Sequence, residues 1–137
     1  MRSGKGLSSP WIAGLLHSVL RMVASALFMQ AGAVKLLAFP IGVPPHGGTV
    51  PMFSEAWFAA ILEVFGGGLL LVGCFTRSVA FLLSGEMAVA YFQFHFPRAL
   101  WPIANGGVDA ILYCFLWLYF AASGPGPVSV DAWRGKG

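Results

Sequence analysis

Glu63 and Glu86 each stand well inside a long apolar run, within the stretch AWFAAILEVFGGGLLLVGCFTRSVAFLLSGEMAVAYFQFHF at residues 56–96. A carboxylate in the middle of a lipid-length run is costly. The chemistry to expect there is ion pairing, proton handling or ligand binding. Arg21, Lys35 and Asp109 interrupt the neighbouring apolar runs in the same way. Depth along a helix sorts these groups, because each residue rises about 1.5 Å. Arg21 and Glu86 both fall about 15 Å in from the end that carries the termini. That shared depth predicts an Arg21–Glu86 ion pair with a structural role. Towards the opposite end, Glu63 falls near the level of Gln30 and forms an outer-half cluster with Lys35, Gln93, Asn105 and Asp109. This outer cluster holds more polar groups than mutual pairing needs. It predicts a pocket for a polar head group such as a quinone ring. Glu63 and Asp109 would handle protons there, and Gln30, Lys35, Gln93 and Asn105 would bind the ligand. His46 and His95 are placed to cap it. The plainer reading of both clusters is structural, as interhelical hydrogen bonds and ion pairs that fix a small bundle.

The elements that must position these residues are four apolar helices, predicted at about residues 11–39, 54–74, 76–95 and 103–122. Four prolines and three glycines in residues 40–55 forbid a regular helix and make 40–53 a loop. Ser54 offers an N-cap, with Glu55 in the favourable first turn and Trp57 and Phe58 at the interface. The break at residues 74–77 is so short that helices two and three must be antiparallel neighbours. Gly66, Gly67, Gly68 and Gly73 would weaken a helix in water, but in a membrane they allow close helix approach. Pro97 and Pro102 bracket the next turn, and residues 123–127 (SGPGP) stop the fourth helix, leaving a polar tail at 128–137.

Composition points the same way. Of 137 residues, 58% are hydrophobic and only 9% are charged, whereas a soluble domain has about a quarter charged. Runs of about 20 apolar residues cross a bilayer. The expected fold is therefore all-α: an integral membrane four-helix bundle forming one domain over residues 1–137. The net charge of +3 does not form a nucleic-acid patch, because Arg2 and Lys5 lie at one end and Arg134 and Lys136 at the other. With four spans, these residues and Arg77 share one side. The positive-inside rule then puts both the N- and C-termini in the cytoplasm, with the 40–53 loop and the turn around Arg98 outside. Arg2, Lys5 and Ala24-Ser25-Ala26 resemble a cleavable leader. Arg21 would fall in its apolar region, however, so the first helix is expected to be retained.

Other chemistries lack their signatures. No Gly-rich phosphate loop stands between a strand and a helix. His17, His46 and His95 are dispersed rather than paired for haem. Cys74 and Cys114 have no CxxC spacing and read as small buried hydrophobes, and no cluster suggests a metal site. No covalently bound cofactor is expected. His17 reads as interfacial, and Tyr91, Phe92, Phe94 and Phe96 as lipid and packing contacts.

In order and spacing, the chain resembles the DoxX family of small four-helix membrane proteins. The resemblance rests on Arg21, Gly32 and Lys35-Leu36; on Ile61-Leu62-Glu63, Gly66-Gly67, residues 69–73 (LLLVG) and Thr76-Arg77 with Ala80; and on Met87 with Ala90. It continues through Asn105-Gly106-Gly107 with Ala110 and Leu112-Tyr113, then Gly124-Pro125-Gly126 and Ser129-Val130-Asp131. The family carries a glutamate directly after the Asn-Gly-Gly. Here that position is Val108, and Asp109 follows it, turned by about 100° on a helix.

The resemblance implies a multi-pass protein of the bacterial inner (cytoplasmic) membrane. The family is similar to the small membrane subunit of thiosulfate:quinone oxidoreductase, and other members look like parts of membrane oxidoreductase complexes or are linked to catechol and quinone resistance. The expectation is a subunit of a respiratory or redox-linked complex, surrounded by the lipid bilayer and other membrane subunits, with quinone as its ligand and the redox centre on a partner. The alternative is a structural subunit that packs against a larger complex with no chemistry of its own.

Overall fold

The computed structural model describes residues 9–135. Arg2, Lys5 and Lys136, three of the charges behind the topology expectation, lie outside them. The described residues are all-helical with no strand, and six helices follow one another: α1 (Pro10–Leu37), α2 (Glu55–Val72), α3 (Thr76–Ala90), α4 (Pro102–Asn105), α5 (Val108–Ser123) and α6 (Val130–Trp133).

Local sequence explains the helix ends. Pro10 opens α1, where its missing N–H costs nothing. Ser54 caps α2 as expected, its Oγ accepting from the Trp57 N–H at 3.2 Å, and Gly73 closes α2 in the left-handed conformation. Helix three is not one regular α-helix to residue 95. After Ala90 it widens into a π-turn, Tyr91–His95, with the Phe96 N–H bonding to the Tyr91 carbonyl at 2.8 Å. The fourth expected helix is likewise split. Asn105 ends α4, Gly106 takes a positive φ of 73° that a side chain would resist, and α5 restarts at Val108.

Buried positions on each long helix recur every three or four residues, as a one-faced helix requires. Ser18, Arg21, Ser25, Phe28 and Gly32 form the stripe on α1, and Ala60, Glu63, Gly67 and Leu70 the stripe on α2. Helix α1 packs along α2, α3 packs along α5, and the turn at 73–75 joins the two pairs. Phe28 crosses from α1 to meet Trp117 of α5 edge-on at 5.4 Å and Tyr113 at 5.1 Å. Trp117, Phe120, Leu70 and Leu83 are fully buried around it.

Outside this core the surface is apolar. Leu16, Val23, Leu27, Phe65, Phe81 and Phe115 all face outward. Pro10–Leu37 and Glu55–Val72 are long and apolar enough to cross a membrane. Only 28% of each apolar window is buried inside the protein. A core helix of a soluble protein would be mostly buried, so apolar side chains turned outward suit lipid.

The stretch expected as a polar tail instead folds back onto the near end, where α1 begins. Arg21 donates to the carbonyls of Leu70 (2.8 Å), Val128 (2.7 Å) and Pro125. Asp131 is buried, and its two carboxylate oxygens accept the Phe75 N–H at 3.0 Å and the Thr76 N–H at 2.9 Å, capping α3 from across the fold. Burial raises the Asp131 carboxyl, but the hydrogen bonds from Thr76 and Phe75 and the nearby Arg134 charge outweigh it and hold it below the usual range. Arg77 donates to the carbonyls of Ala121 and Ala122 at the end of α5. His17, expected at the interface, is half-buried and bonds to the Tyr119 hydroxyl at 3.1 Å and the Gly124 carbonyl at 2.9 Å.

Candidate functional site

The far end, where α1 stops, holds an open-mouthed cavity of about 440 Å³ bordered by α1, α2, α3 and α5. Its wall combines apolar residues such as Leu27, Phe28 and Met87 with Lys35, Glu63, Glu86, His95, Arg98, Asp109 and Tyr113. Three carboxylates and two cations thus meet in a cleft that is otherwise apolar. Each helix contributes at a fixed register: Lys35 sits in the last turn of α1, Glu63 two turns into α2, Glu86 one turn before the π-turn, and Asp109 in the first turn of α5.

One contact organises the cavity. Lys35 Nζ donates to Glu63 Oε1 at 2.7 Å, with the Lys35 side chain 33% exposed and the Glu63 side chain 3% exposed. The pair is lopsided, with the acid sealed in and the base reaching down from the rim. Glu63 Oε2 and both carboxylate oxygens of Glu86 are buried and have no hydrogen-bond partner among the described residues. Buried acceptors are normally satisfied, because an unmet one costs about 1 to 3 kcal/mol. A site that leaves three acceptor atoms open is prepared for donors from elsewhere.

The expected Arg21–Glu86 ion pair does not form. Arg21 is used up at the near end by three backbone carbonyls, freed where α2 ends and where Pro125 and Pro127 interrupt helical bonding. A planar guanidinium with five donors suits such a set of carbonyls better than a single carboxylate. Glu86 instead joins Glu63 in the far-end cavity, so the two acids share one site rather than serving two.

The other expected ligand groups divide. Lys35, Glu63 and Asp109 line the cavity, as does His95, whose Nδ1 lies 3.1 Å from the Asn105 carbonyl. Asn105 is buried but serves the loop. Its amide donates to the Ala99 carbonyl at 3.0 Å, and its Oδ1 accepts the Gly107 N–H at 2.8 Å. The break after Asn105 is why it does not share a face with Asp109. Gln30 is exposed on the opposite side, in a groove with Met29, Ala33 and Phe65. Gln93 is exposed in a second groove between α2 and α3. His46 is exposed in the loop. Tyr113 and Arg98 were not expected in the cavity. Tyr113 follows Asp109 by four residues, one helical turn, and that spacing could have revealed it.

An all-helical chain with an apolar outer surface, two helices able to span a bilayer and a polar cavity among its helices is a membrane protein. It belongs to the DoxX family, whose model matches residues 16–96, more than half of the chain. That stretch includes Arg21, Lys35, Glu63 and Glu86, whereas the Asn105-Gly106-Gly107 and Gly124–Asp131 resemblances lie beyond it. The chain is also 44% identical over 117 residues to an uncharacterised protein of Haemophilus influenzae, covering 82% of this chain and 85% of the relative. No solved structure matches it.

Proposed function

We propose that the chain is a multi-pass subunit of a redox-linked complex in the bacterial inner membrane, and that its far-end cavity holds a quinone-type head group. The four longer helical segments would span as one bundle, with both termini in the cytoplasm. In sequence, Arg2, Lys5, Arg77, Arg134 and Lys136 belong to the side of the termini and Lys35 and Arg98 to the other, a five-to-two bias that the positive-inside rule reads as termini inward.

The observation that carries the reading is the Lys35–Glu63 pair set beside unsatisfied oxygens of Glu63 and Glu86 in one cavity. Pairing alone would leave no orphan acceptors. The residues also fit the ligand chemically: Lys35 has donors to spare for a ring carbonyl, while Phe28, Met87 and Tyr113 supply flat apolar contact. Such a ligand takes up two electrons and two protons per cycle. The electrons would come from a redox centre on a partner, and Glu63 and Asp109 would pass the protons. Gln30 supports the presence of partners. An amide on an otherwise lipid-facing apolar groove gains by bonding to a neighbouring helix. That same observation favours the second reading, a purely structural subunit.

The test is binding of a decyl-substituted benzoquinone to the purified protein in lipid nanodiscs. Saturable binding should weaken by about tenfold or more in Glu63→Gln, the equivalent of about 1.4 kcal/mol, with helix content unchanged. Equal binding by both proteins, with assembly into the complex intact, would leave only the structural reading.

A further inference from the structure

The cavity has a neighbour. Between α2 and α3 runs an apolar groove of about 660 Å³. Phe58, Leu62, Phe81, Leu82 and Val89 line it, and all five face outward to the position lipid would occupy. The two spaces share a wall, since Ala59, Glu86, Ala90 and Phe94 line both. Two of these four are alanines, so little side chain separates the groove from the cavity. At the shared wall stands Glu86, with neither carboxylate oxygen partnered.

Resting on the head-group reading above, we infer that the cavity and groove form one site for a membrane-borne amphiphile. Its hydroxylated ring reaches Glu86 and Glu63, and its apolar tail lies along the α2–α3 groove. The chemistry of the open atoms selects the redox state. Each carboxyl keeps at least one open acceptor oxygen in either protonation state, so Glu63 and Glu86 each call for a donor. A ring with two hydroxyls supplies one donor to each carboxyl; a quinone offers only carbonyl acceptors and leaves both calls unmet. The site therefore prefers the reduced form, and the ligand enters sideways from the bilayer rather than from the aqueous end.

Gly85 gives a direct test. It lies in the groove, and a Cβ added there meets nothing within 4 Å, so a large side chain can fill the space without displacing the fold. Binding is measured anaerobically in nanodiscs with decyl-benzoquinol, decyl-benzoquinone and the same quinol lacking its tail. A tail also concentrates a ligand in the bilayer, so the readout is the ratio between protein variants for each ligand. Gly85→Trp should weaken decyl-benzoquinol binding by about tenfold while leaving the tail-less quinol unchanged. Wild-type protein should bind the quinol about tenfold more tightly than the quinone. Glu86→Gln should narrow that preference, because the amide adds donors that a quinone carbonyl can accept. The inference is overturned if Gly85→Trp binds decyl-benzoquinol like wild type, or if quinol and quinone bind wild type equally. If the tail-less quinol binds nowhere and Glu63→Gln changes nothing, the head-group reading itself fails, and this inference fails with it.

Discussion

Lys35 reaches from the last turn of α1 to Glu63 on α2 and holds one of its two oxygens at 2.7 Å, leaving the other buried and open. This single contact ties the first helix pair together at the far end and sets the charge of the cavity. Removing one partner of such a pair strands the other charge, which costs far more than removing both. Lys35→Met should destabilise the protein by about 3 kcal/mol, the low end for a buried pair, because 33% of the Lys35 side chain is exposed. The Lys35→Met/Glu63→Leu double variant should return to within about 1 kcal/mol of wild type. Thermal unfolding in detergent reads both values. A double variant as unstable as the single would mean that the pair is not a unit.

Arg21 should couple to the carboxy-terminal segment and not to Glu86. Its bonds to the Leu70, Pro125 and Val128 carbonyls pin residues 124–133 against the ends of α1 and α2. Arg21→Lys loses the planar fork and at least one of these charged hydrogen bonds, a cost of about 1.5 to 3 kcal/mol. Hydrogen exchange should speed up selectively in residues 124–133. In a double-mutant cycle, Arg21 and Glu86 should show coupling below about 0.5 kcal/mol, as distant residues do. A larger coupling would restore the ion pair that depth alone suggested.

Much of the architecture was legible from spacing, and the reasons for the misses are local. The hairpin at residues 54–90, the Ser54 cap and the placing of Lys35 and Glu63 in one outer cluster follow from run lengths and turn residues. Helix phase was the weak point. Gln30 precedes Lys35 by five residues, which turns it by about 140° and away from the cavity. Gln93 was expected with the outer cluster, but it lies beyond the cavity wall, in the lateral groove that Glu86 also lines. The glycine pair after Asn105 breaks a helix that hydropathy reads as continuous. Arg21 could not be placed because its partners are backbone carbonyls, which carry no residue code. The folded-back tail was invisible for the same reason: Asp131 caps α3 through the amides of Phe75 and Thr76.

That cap makes stability depend on pH in a stated direction. The folded Asp131 carboxyl lies below its ordinary value of 3.8. The unfolded chain therefore binds the extra proton first as pH falls. The stabilisation is complete well above that ordinary value and is lost as pH drops through the folded value. Asp131→Asn should lower stability near neutral pH by about 1 to 2 kcal/mol and should flatten the fall in unfolding temperature on acidification below about pH 4. An acid limb of unchanged depth in the variant would assign it to other carboxylates.

Gly32 should control the cavity from outside it. A Cβ built there lies 2.8 Å from the Ala60 carbonyl and 2.8 Å from Val64 Cγ2, so α1 and α2 touch backbone to side chain at this level. The position is one turn before Lys35 and faces the turn that holds Glu63. In a membrane, association between helices rests on close packing rather than on expelling water, so an added methyl is felt directly. Gly32→Val must part the helices or tilt one of them, with a cost of about 1 to 3 kcal/mol for overpacking. Parting them also lengthens the Lys35–Glu63 contact, and the head-group cavity loses its positioned cation. Gly32→Val should therefore reduce benzoquinone binding as strongly as Lys35→Met, although Gly32 does not line the cavity. Gly68→Ala, whose new Cβ comes no closer than 3.8 Å to the Met29 side chain, should leave binding at the wild-type level. If both glycine variants bind alike, the spacing of α1 and α2 does not set the site.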